Sequence, residues 1–284
     1  MISLPQRESR RKLAGNRVLA TETSHAGFFF VSFAHRPRHN QFVIGAFLNA
    51  LGILVGALFG LTARAPLSAR TQNFFKLALG VFTVVFGLKL VVENLNGSFI
   101  AAGKQFALGL LAVVLGYWLG KILQLQKISN RIGRHAGMLL TAAQKNPPGK
   151  PIDGLLAGTI LFCAAPLGVL GAVADGLAAS GFFWLLLVKA VMDGLATASF
   201  VKLFRWPAAL AAIPVCLFLN GLTFAVHYGA QPWLAAHALT ASVNVAAGLV
   251  TCIVALVIFE VRRVELNSYL PAIFIAPLLK LFLG

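Results

Sequence analysis

Long runs of apolar residues, separated by short polar or basic segments, make up most of the chain. A helix of about 20 apolar residues is long enough to cross the hydrocarbon core of a membrane. The stretch 206–259 contains no Asp, Glu, Lys or Arg and is too long for one helix, so we place a turn at 227–232, where Gly229 and Pro232 interrupt it. The pattern predicts eight membrane-spanning helices, at 42–63, 77–92, 105–120, 154–174, 182–201, on either side of the turn within 206–259, and at 267–283.

These runs also decide the fold class. Backbone polar groups in lipid must be paired inside a helix or a closed barrel, and the runs are too long for barrel strands. We therefore expect an all-α, polytopic integral membrane protein. Residues 1–41 are interpreted as a basic flexible tail and residues 42–284 as a single membrane domain. Within that domain the polar, basic stretch 121–153 is predicted to be a cytoplasmic loop, and a central helix pair follows at 154–205.

Composition excludes most other classes of protein. Hydrophobic residues make up 58% and charged residues only 11% of the 284 residues, whereas soluble domains carry about 25% charged residues. A soluble enzyme is therefore excluded, and so is a nucleic-acid-binding domain, despite the net charge of +16. We expect the lipid bilayer to be the partner of this basic chain, with its cations at the cytoplasmic membrane surface.

The basic residues give the chain an orientation. Two Lys, Lys104 and Lys280, belong to one set of connections between the predicted helices. Thirteen Lys and Arg belong to the other set, which is therefore predicted to be cytoplasmic: Arg64, Arg70, Lys76, Lys121, Lys127, Arg131, Arg134, Lys145, Lys150, Lys202, Arg205, Arg262 and Arg263. Eight helices would then leave the basic tail outside. Either the helix count is off by one near the start, or translation starts at Val43 and the tail is a start-site artefact.

Two segments of the chain resemble each other. Phe-Leu-Asn-Ala begins at Phe47, and Phe-Leu-Asn-Gly begins at Phe218, each in a predicted helix. Helices one to three (42–120) would then repeat as helices six to eight (206–284), with opposite orientations in the membrane. Inverted three-helix repeats of this kind are typical of secondary transporters. Chance similarity among apolar helices is the alternative, since such sequences match one another easily.

An ionisable pair lies in the fifth predicted helix. Lys189 and Asp193 are four residues apart, on one helix face. Each charge costs about 2.5–3.5 kcal/mol at the bilayer centre, and intramembrane ionisable residues usually have a function. Lys before Asp is the weaker order for such a pair, so we expect further partners or a wet cavity. A purely structural ion pair is the alternative.

Four other polar residues are candidates for the same site. Asn49 and Asn220 lie in rows of small residues in helices one and six, where they could line a pathway or hydrogen-bond between helices. Asp175 ends helix four, and Asn267 begins helix eight. Pro166 can break helix four inside the membrane. No spacing of Cys or His predicts a metal site, and no cofactor is expected.

The chain resembles a known family. The segments VIGAFLNALGILVGALFGL, FCAAPLGVLGAVADGL, LLVKAVMDGL and LNSYLPAIFIAPLL are similar to those of the YqgA-like bacterial membrane proteins, a family of unknown function. Its members typically begin at the counterpart of Val43, which favours the start-site hypothesis. This chain has Ala164-Ala165 where the family usually has a Gly-containing pair. The resemblance implies a bacterial inner-membrane location and nothing about a substrate.

These observations favour a transporter of an ion or small polar solute over an enzyme. Lys189 and Asp193 would form its charged centre, Asn49, Asn220 and Asn267 would line the site, and Asp175 would guard the outer mouth. A membrane scaffold or partner subunit that transports nothing is the second hypothesis. An intramembrane enzyme comes third, because the sequence has no Ser/His dyad and no pair of helical aspartates.

Overall fold

A computed structural model of the chain describes residues 44–63, 68–146, 150–177, 183–261 and 264–283. The tail at 1–41 and the hypothetical start at Val43 lie outside these ranges. Within them the chain is helical and forms no strand. The helices are α1 (Ile44–Thr62), α2 (Ala69–Glu93), α3 (Phe99–Ile122), α4 (Leu125–Lys145), α5 (Pro151–Ala164), α6 (Pro166–Leu177), α7 (Trp184–Phe204), α8 (Ala212–Phe224), α9 (Gln231–Ala236), α10 (Thr240–Ile258) and α11 (Ala272–Leu283).

The predicted fold class is confirmed. Among the described residues, seven helical segments are long and apolar enough to cross a membrane. They are α1, α2, α3, α7, the segment Trp206–Ala236 that contains α8 and α9, α10, and Leu266–Leu283. The pair α5 and α6 supplies an eighth span if it is counted as one bent segment. The protein is therefore an all-α membrane protein of seven or eight spans.

The fourth span is broken rather than continuous. Ala165, between α5 and α6, has an extended backbone (φ −67°, ψ 122°), and the two helices meet at a bend of 58°. Pro166 causes the break, because proline has no N–H for the helix ladder and disfavours helical geometry in the residue before it. The sequence indicated that Pro166 can break this helix inside the membrane, and the structure has the break at that position.

The predicted loop at 121–153 is largely a helix, so that part of the prediction is wrong. After a turn at Gln124 (φ 54°), the chain forms α4. Ala136 and Ala143 are buried two turns apart on this helix, whereas Lys127 and Arg131 are exposed. The stretch is therefore an amphipathic helix. Its high content of polar and basic residues reflects one exposed face and not an irregular backbone.

The turn predicted at 227–232 is also helical. The chain continues from α8 through a π-helical segment, Ala225–Ala230, into α9. Pro232 is the second residue of α9. The chain reverses several residues later, at Ala238 (φ 54°), immediately before α10.

Glycines on α1 bring it into close contact with α7. Gly52 lies against the backbone carbonyl of Ala190. Two turns further along both helices, Gly60 lies against that of Ala198. The two helices are therefore parallel, and a methyl group at either glycine would overlap backbone atoms of α7. Small residues permit this close approach in membranes, and it sets the position of the candidate site.

Candidate functional site

The centre of the candidate site is an ion pair inside the protein. On α7, Lys189 Nζ lies 2.6 Å from Asp193 Oδ2. Lys189 is 1% exposed and Asp193 7%. The four-residue spacing read from the sequence therefore forms a real contact, near the middle of a membrane-spanning helix.

Asn49 of α1 is the additional partner that the weak order of the pair led us to expect. Its Nδ2 donates a hydrogen bond of 2.9 Å to Asp193 Oδ2, the same oxygen that Lys189 contacts. Asn49 has no exposed surface, and its Oδ1 has no hydrogen-bond partner within the described part of the chain. One carboxylate oxygen thus accepts from an ammonium group and from a carboxamide on a neighbouring helix.

Lys189 also lies against the break between α5 and α6. Its Nζ is 5.8 Å from the centre of the Phe162 ring, at the end of α5. A Cβ at Gly168, in the first turn of α6, would be 2.8 Å from Lys189 Cε. Neither neighbour was predicted from the sequence. The proximity of each to Pro166 was the only available signal, and it does not by itself point to α7.

Asp175, at the end of α6, is buried without a partner. Its exposure is 0%, and neither carboxyl oxygen has a hydrogen-bond partner among the residues that the structure describes. A Cβ at Gly45 would lie 3.0 Å from Asp175 Oδ2, so this carboxyl group contacts the first turn of α1. An ionised carboxylate in such a place carries a penalty of several kcal/mol. The residue that we expected to guard the outer mouth is therefore enclosed.

The other two predicted residues lie elsewhere. Asn220 donates through Nδ2 to Cys216 Sγ on its own helix, at 3.4 Å. Asn267 precedes α11 and donates to Gln126 Oε1 of α4, at 3.4 Å from its Nδ2. The structure therefore brings Asn49, Lys189 and Asp193 together, and none of its hydrogen bonds links Asn220 or Asn267 to that cluster.

Two cavities lie near the cluster without reaching it. One, of about 620 Å³, has polar lining residues from α4 and a floor formed by the bend at 164–166. Arg134 is the only ionisable residue among those that line it. The other, of about 440 Å³, is an apolar groove between α1 and α7 that includes Phe59 and Phe75. Neither cavity is lined by Lys189, Asp193 or Asn49.

Comparison of the amino-acid sequence with known protein families gives a match to a family sequence model. The model described as "Protein of unknown function (DUF554)" covers residues 44–281. The chain belongs to this family. That match confirms the resemblance predicted from the sequence, and it includes every residue of the candidate site.

Two relatives of this DUF554 chain have no assigned activity. "Uncharacterized protein YqgA" of Escherichia coli (strain K12) is 26% identical over 235 residues, which cover 82% of this chain and 94% of that protein. "Uncharacterized membrane protein YdfK" of Bacillus subtilis (strain 168) is 22% identical over 171 residues, covering 60% and 67%. No solved structure matches the chain. The apolar helices of this chain and the name of the second relative both indicate a membrane protein.

Proposed function

We propose that this DUF554 protein is a bacterial inner-membrane transporter for an ion or small polar solute, with Lys189, Asp193 and Asn49 at the centre of its pathway. The observation that carries the proposal is a buried ion pair near the middle of a membrane-spanning helix, against the break in a neighbouring one. Each charge is costly in the hydrocarbon core, and ionisable residues there usually mark substrate or ion pathways.

The polar cavity supports an entrance to this pathway from the cytoplasm. It lies against α4, whose exposed Lys127 and Arg131 support a cytoplasmic position through the positive-inside bias. Its floor is the bend at 164–166, and Phe162 and Gly168, which lie against Lys189, are within three positions of Ala165. Broken helices line the binding sites of many secondary transporters. The occupied pathway would extend from this floor to the ion pair.

The packing of the outer helices supports an inverted repeat. The repeat pairs α2 with α10 and α3 with α11, and each pair is in contact. Gly80 of α2 lies against Phe259, the residue that follows α10. Further along α2, Gly87 lies against Cys252, earlier in α10, so this pair is antiparallel. A pseudo-twofold axis in the membrane plane produces such pairs, and rocking of the two halves would give alternating access.

Transport can be tested directly in proteoliposomes with a panel of ions and small polar solutes. We expect flux of at least one of them, and we expect Asp193→Asn and Lys189→Met to abolish it while the protein still inserts. The double variant carrying both changes removes the pair without leaving a lone charge, and it is expected to fold but not to transport. Unchanged flux in both single variants would contradict the role of the pair.

The chain supplies a matched control for these variants. Lys89 and Glu93 on α2 form another ion pair four residues apart, with Nζ 3.5 Å from Oε1, but their side chains are 41% and 55% exposed. Lys89→Met and Glu93→Gln change the same chemical groups outside the site. We expect both control variants to transport like the wild-type protein.

A second test needs no substrate. Cys163 follows Phe162 at the end of α5 and is half-buried. In a protein that carries Cys216→Ala and Cys252→Ala, we expect a membrane-impermeant thiol reagent to label Cys163 from the cytoplasmic side. The control protein carries Cys163→Ala and Cys216→Ala and keeps Cys252. Labelling of Cys163 only after denaturation in detergent would argue against a pathway that reaches the break.

A membrane scaffold is the second candidate, and the enclosure of the pair favours it. Lys189 and Asp193 contact each other and line neither cavity. In a scaffold the pair would fix the register of α1 against α7. The scaffold hypothesis then expects no flux from the wild-type protein for any solute, and loss of assembly in the single variants. It also expects the double variant to recover assembly.

A further inference from the structure

We propose that Asp175, enclosed between α6 and the first turn of α1, is a reversible proton-binding site, and that its proton is the coupling ion of this protein. The binding of a proton follows from the surroundings of Asp175 alone. The coupling part rests on the transport function proposed above.

The first step is the contrast between the two aspartates of the site. Asp175 lies in Ala-Val-Ala-Asp-Gly-Leu-Ala, and Asp193 lies in Ala-Val-Met-Asp-Gly-Leu-Ala. The carboxylate of Asp193 has an ammonium group and a carboxamide within hydrogen-bond distance. Neither oxygen of Asp175 has a partner within the described ranges, although its exposure is 0%. Nearly identical local sequences therefore give one compensated and one uncompensated acid.

The second step concerns the ionisable groups on the described helices that pack against α6, none of which forms a hydrogen bond with the carboxyl group of Asp175. His227, in the π-helical segment, has its Nδ1 3.3 Å from the carbonyl oxygen of Gly176, a backbone group. Lys189 of α7 lies against Gly168, seven residues or about 10 Å along α6 from Asp175, and is bound to Asp193. The helices α1, α8 and α10 contain no Lys, Arg, His, Asp or Glu, and the one such residue of α5 is Asp153, in its first turn and at the opposite end from α6.

The third step is the choice of ligand. An ionisable group that is buried without a partner becomes neutral instead of keeping its charge. A proton achieves this with one atom. A hard cation such as Ca²⁺ needs six to eight oxygen ligands, and no group of three His, Cys, Asp or Glu that could hold a metal occurs in the described part of the chain. The neutral carboxyl group releases its proton when water reaches it.

The fourth step connects this proton to the charged centre through α1. Gly45 contacts Asp175, and Asn49, one helical turn later, donates to Asp193. A movement of α1 away from α6 and α7 would remove its contact with Asp175 and break the bond to Asp193 together. Protonation of Asp175 favours the closed packing, and its ionisation favours a state in which α1 has moved away. This is the differential interaction that a coupling ion requires.

Infrared spectroscopy of the purified full-length protein tests the proton site. At neutral pH we expect the carbonyl stretching band of a protonated carboxyl group, absent in Asp175→Asn and Asp175→Leu. It should be retained in the control Glu93→Gln, which changes an exposed acid. Absence of the band, or its survival in the Asp175 variants, would overturn the proposal. Unfolding of both Asp175 variants would also overturn it, because a neutral site accepts neutral replacements.

Labelling of Cys163 tests the coupling. In the protein that keeps only this cysteine, the labelling rate is compared with and without Asp175→Asn from mildly acidic to alkaline pH, so that the titration of the thiol cancels in the ratio. We expect the ratio of the two labelling rates to change with pH by about fivefold or more, which corresponds to the lower end of typical coupling energies. A constant ratio beside a normal infrared result would overturn the coupling alone. No labelling in either protein, with the infrared band present, would contradict the transport pathway and not the proton site.

Discussion

Removing one partner of the buried ion pair should destabilise the protein far more than removing both. Asp193→Asn leaves the ammonium group of Lys189, which is 1% exposed, without the carboxylate that it contacts. Breaking a buried pair in this way costs about 3–5 kcal/mol, because an uncompensated charge stays in a medium of low dielectric constant. Lys189→Met leaves the carboxylate with the single hydrogen bond from Asn49, and we expect a loss of similar size.

The double variant shows how much of the lost stability is caused by a lone buried charge and how much by changed packing. Methionine replaces most of the volume of lysine, and an amide at position 193 keeps an oxygen that accepts from Asn49. Replacing a buried pair by uncharged groups of similar volume is often neutral. We therefore expect the double variant to lie within about 2 kcal/mol of the wild-type protein, since the penalty of a lone buried charge is then absent. The free energy of unfolding lost in the double variant should thus be far smaller than the sum of the losses in the two single variants.

Reversible unfolding in mixed detergent micelles, followed by circular dichroism, measures these free energies. The same cycle on the exposed pair Lys89 and Glu93 should give about 0.3–0.5 kcal/mol, as for other exposed pairs of this spacing. If each single change at Lys189 or Asp193 costs less than about 1 kcal/mol, as exposed pairs do, the pair is hydrated and the argument from burial is wrong.

Two further predictions concern the packing of the helices. Gly56→Ala should destabilise the protein by more than about 3 kcal/mol, the upper end of the range of about 1–3 kcal/mol typical of overpacking, because the added methyl group meets the backbone of Gly194. Gly133→Ala in α4 has open space around it and should stabilise the protein by up to about 1 kcal/mol. Unfolding measurements check both variants, and equal effects would contradict the close contact between α1 and α7. Nδ2 of Asn244 in α10 donates a 2.9 Å hydrogen bond to Oδ1 of Asn94, the residue that follows α2. A double-mutant cycle with alanine should give a coupling of about 0.6 kcal/mol, and no coupling would indicate that the contact does not form.

The sequence was informative wherever the controlling interaction is local. The lengths of the apolar runs predicted the spans, because a helix in lipid must pair its own backbone groups. The spacing of Lys189 and Asp193 predicted their contact, because residues four apart share a helix face. The same reasoning failed for α4, where the polar residues were taken for a loop. The amphipathic pattern of this segment is present in its own sequence and could have indicated a helix.

The sequence by itself therefore determined an all-α membrane protein with one charged helix face, since hydrophobic length and helical period are properties of single segments. The tertiary structure decided which polar groups meet. Asn49 is 144 residues from Asp193 and reaches it because glycines let α1 lie directly on α7. Asp175, in nearly the same heptapeptide as Asp193, faces no such donor. Partners of this kind depend on which helix faces come into contact, and no local spacing encodes that choice.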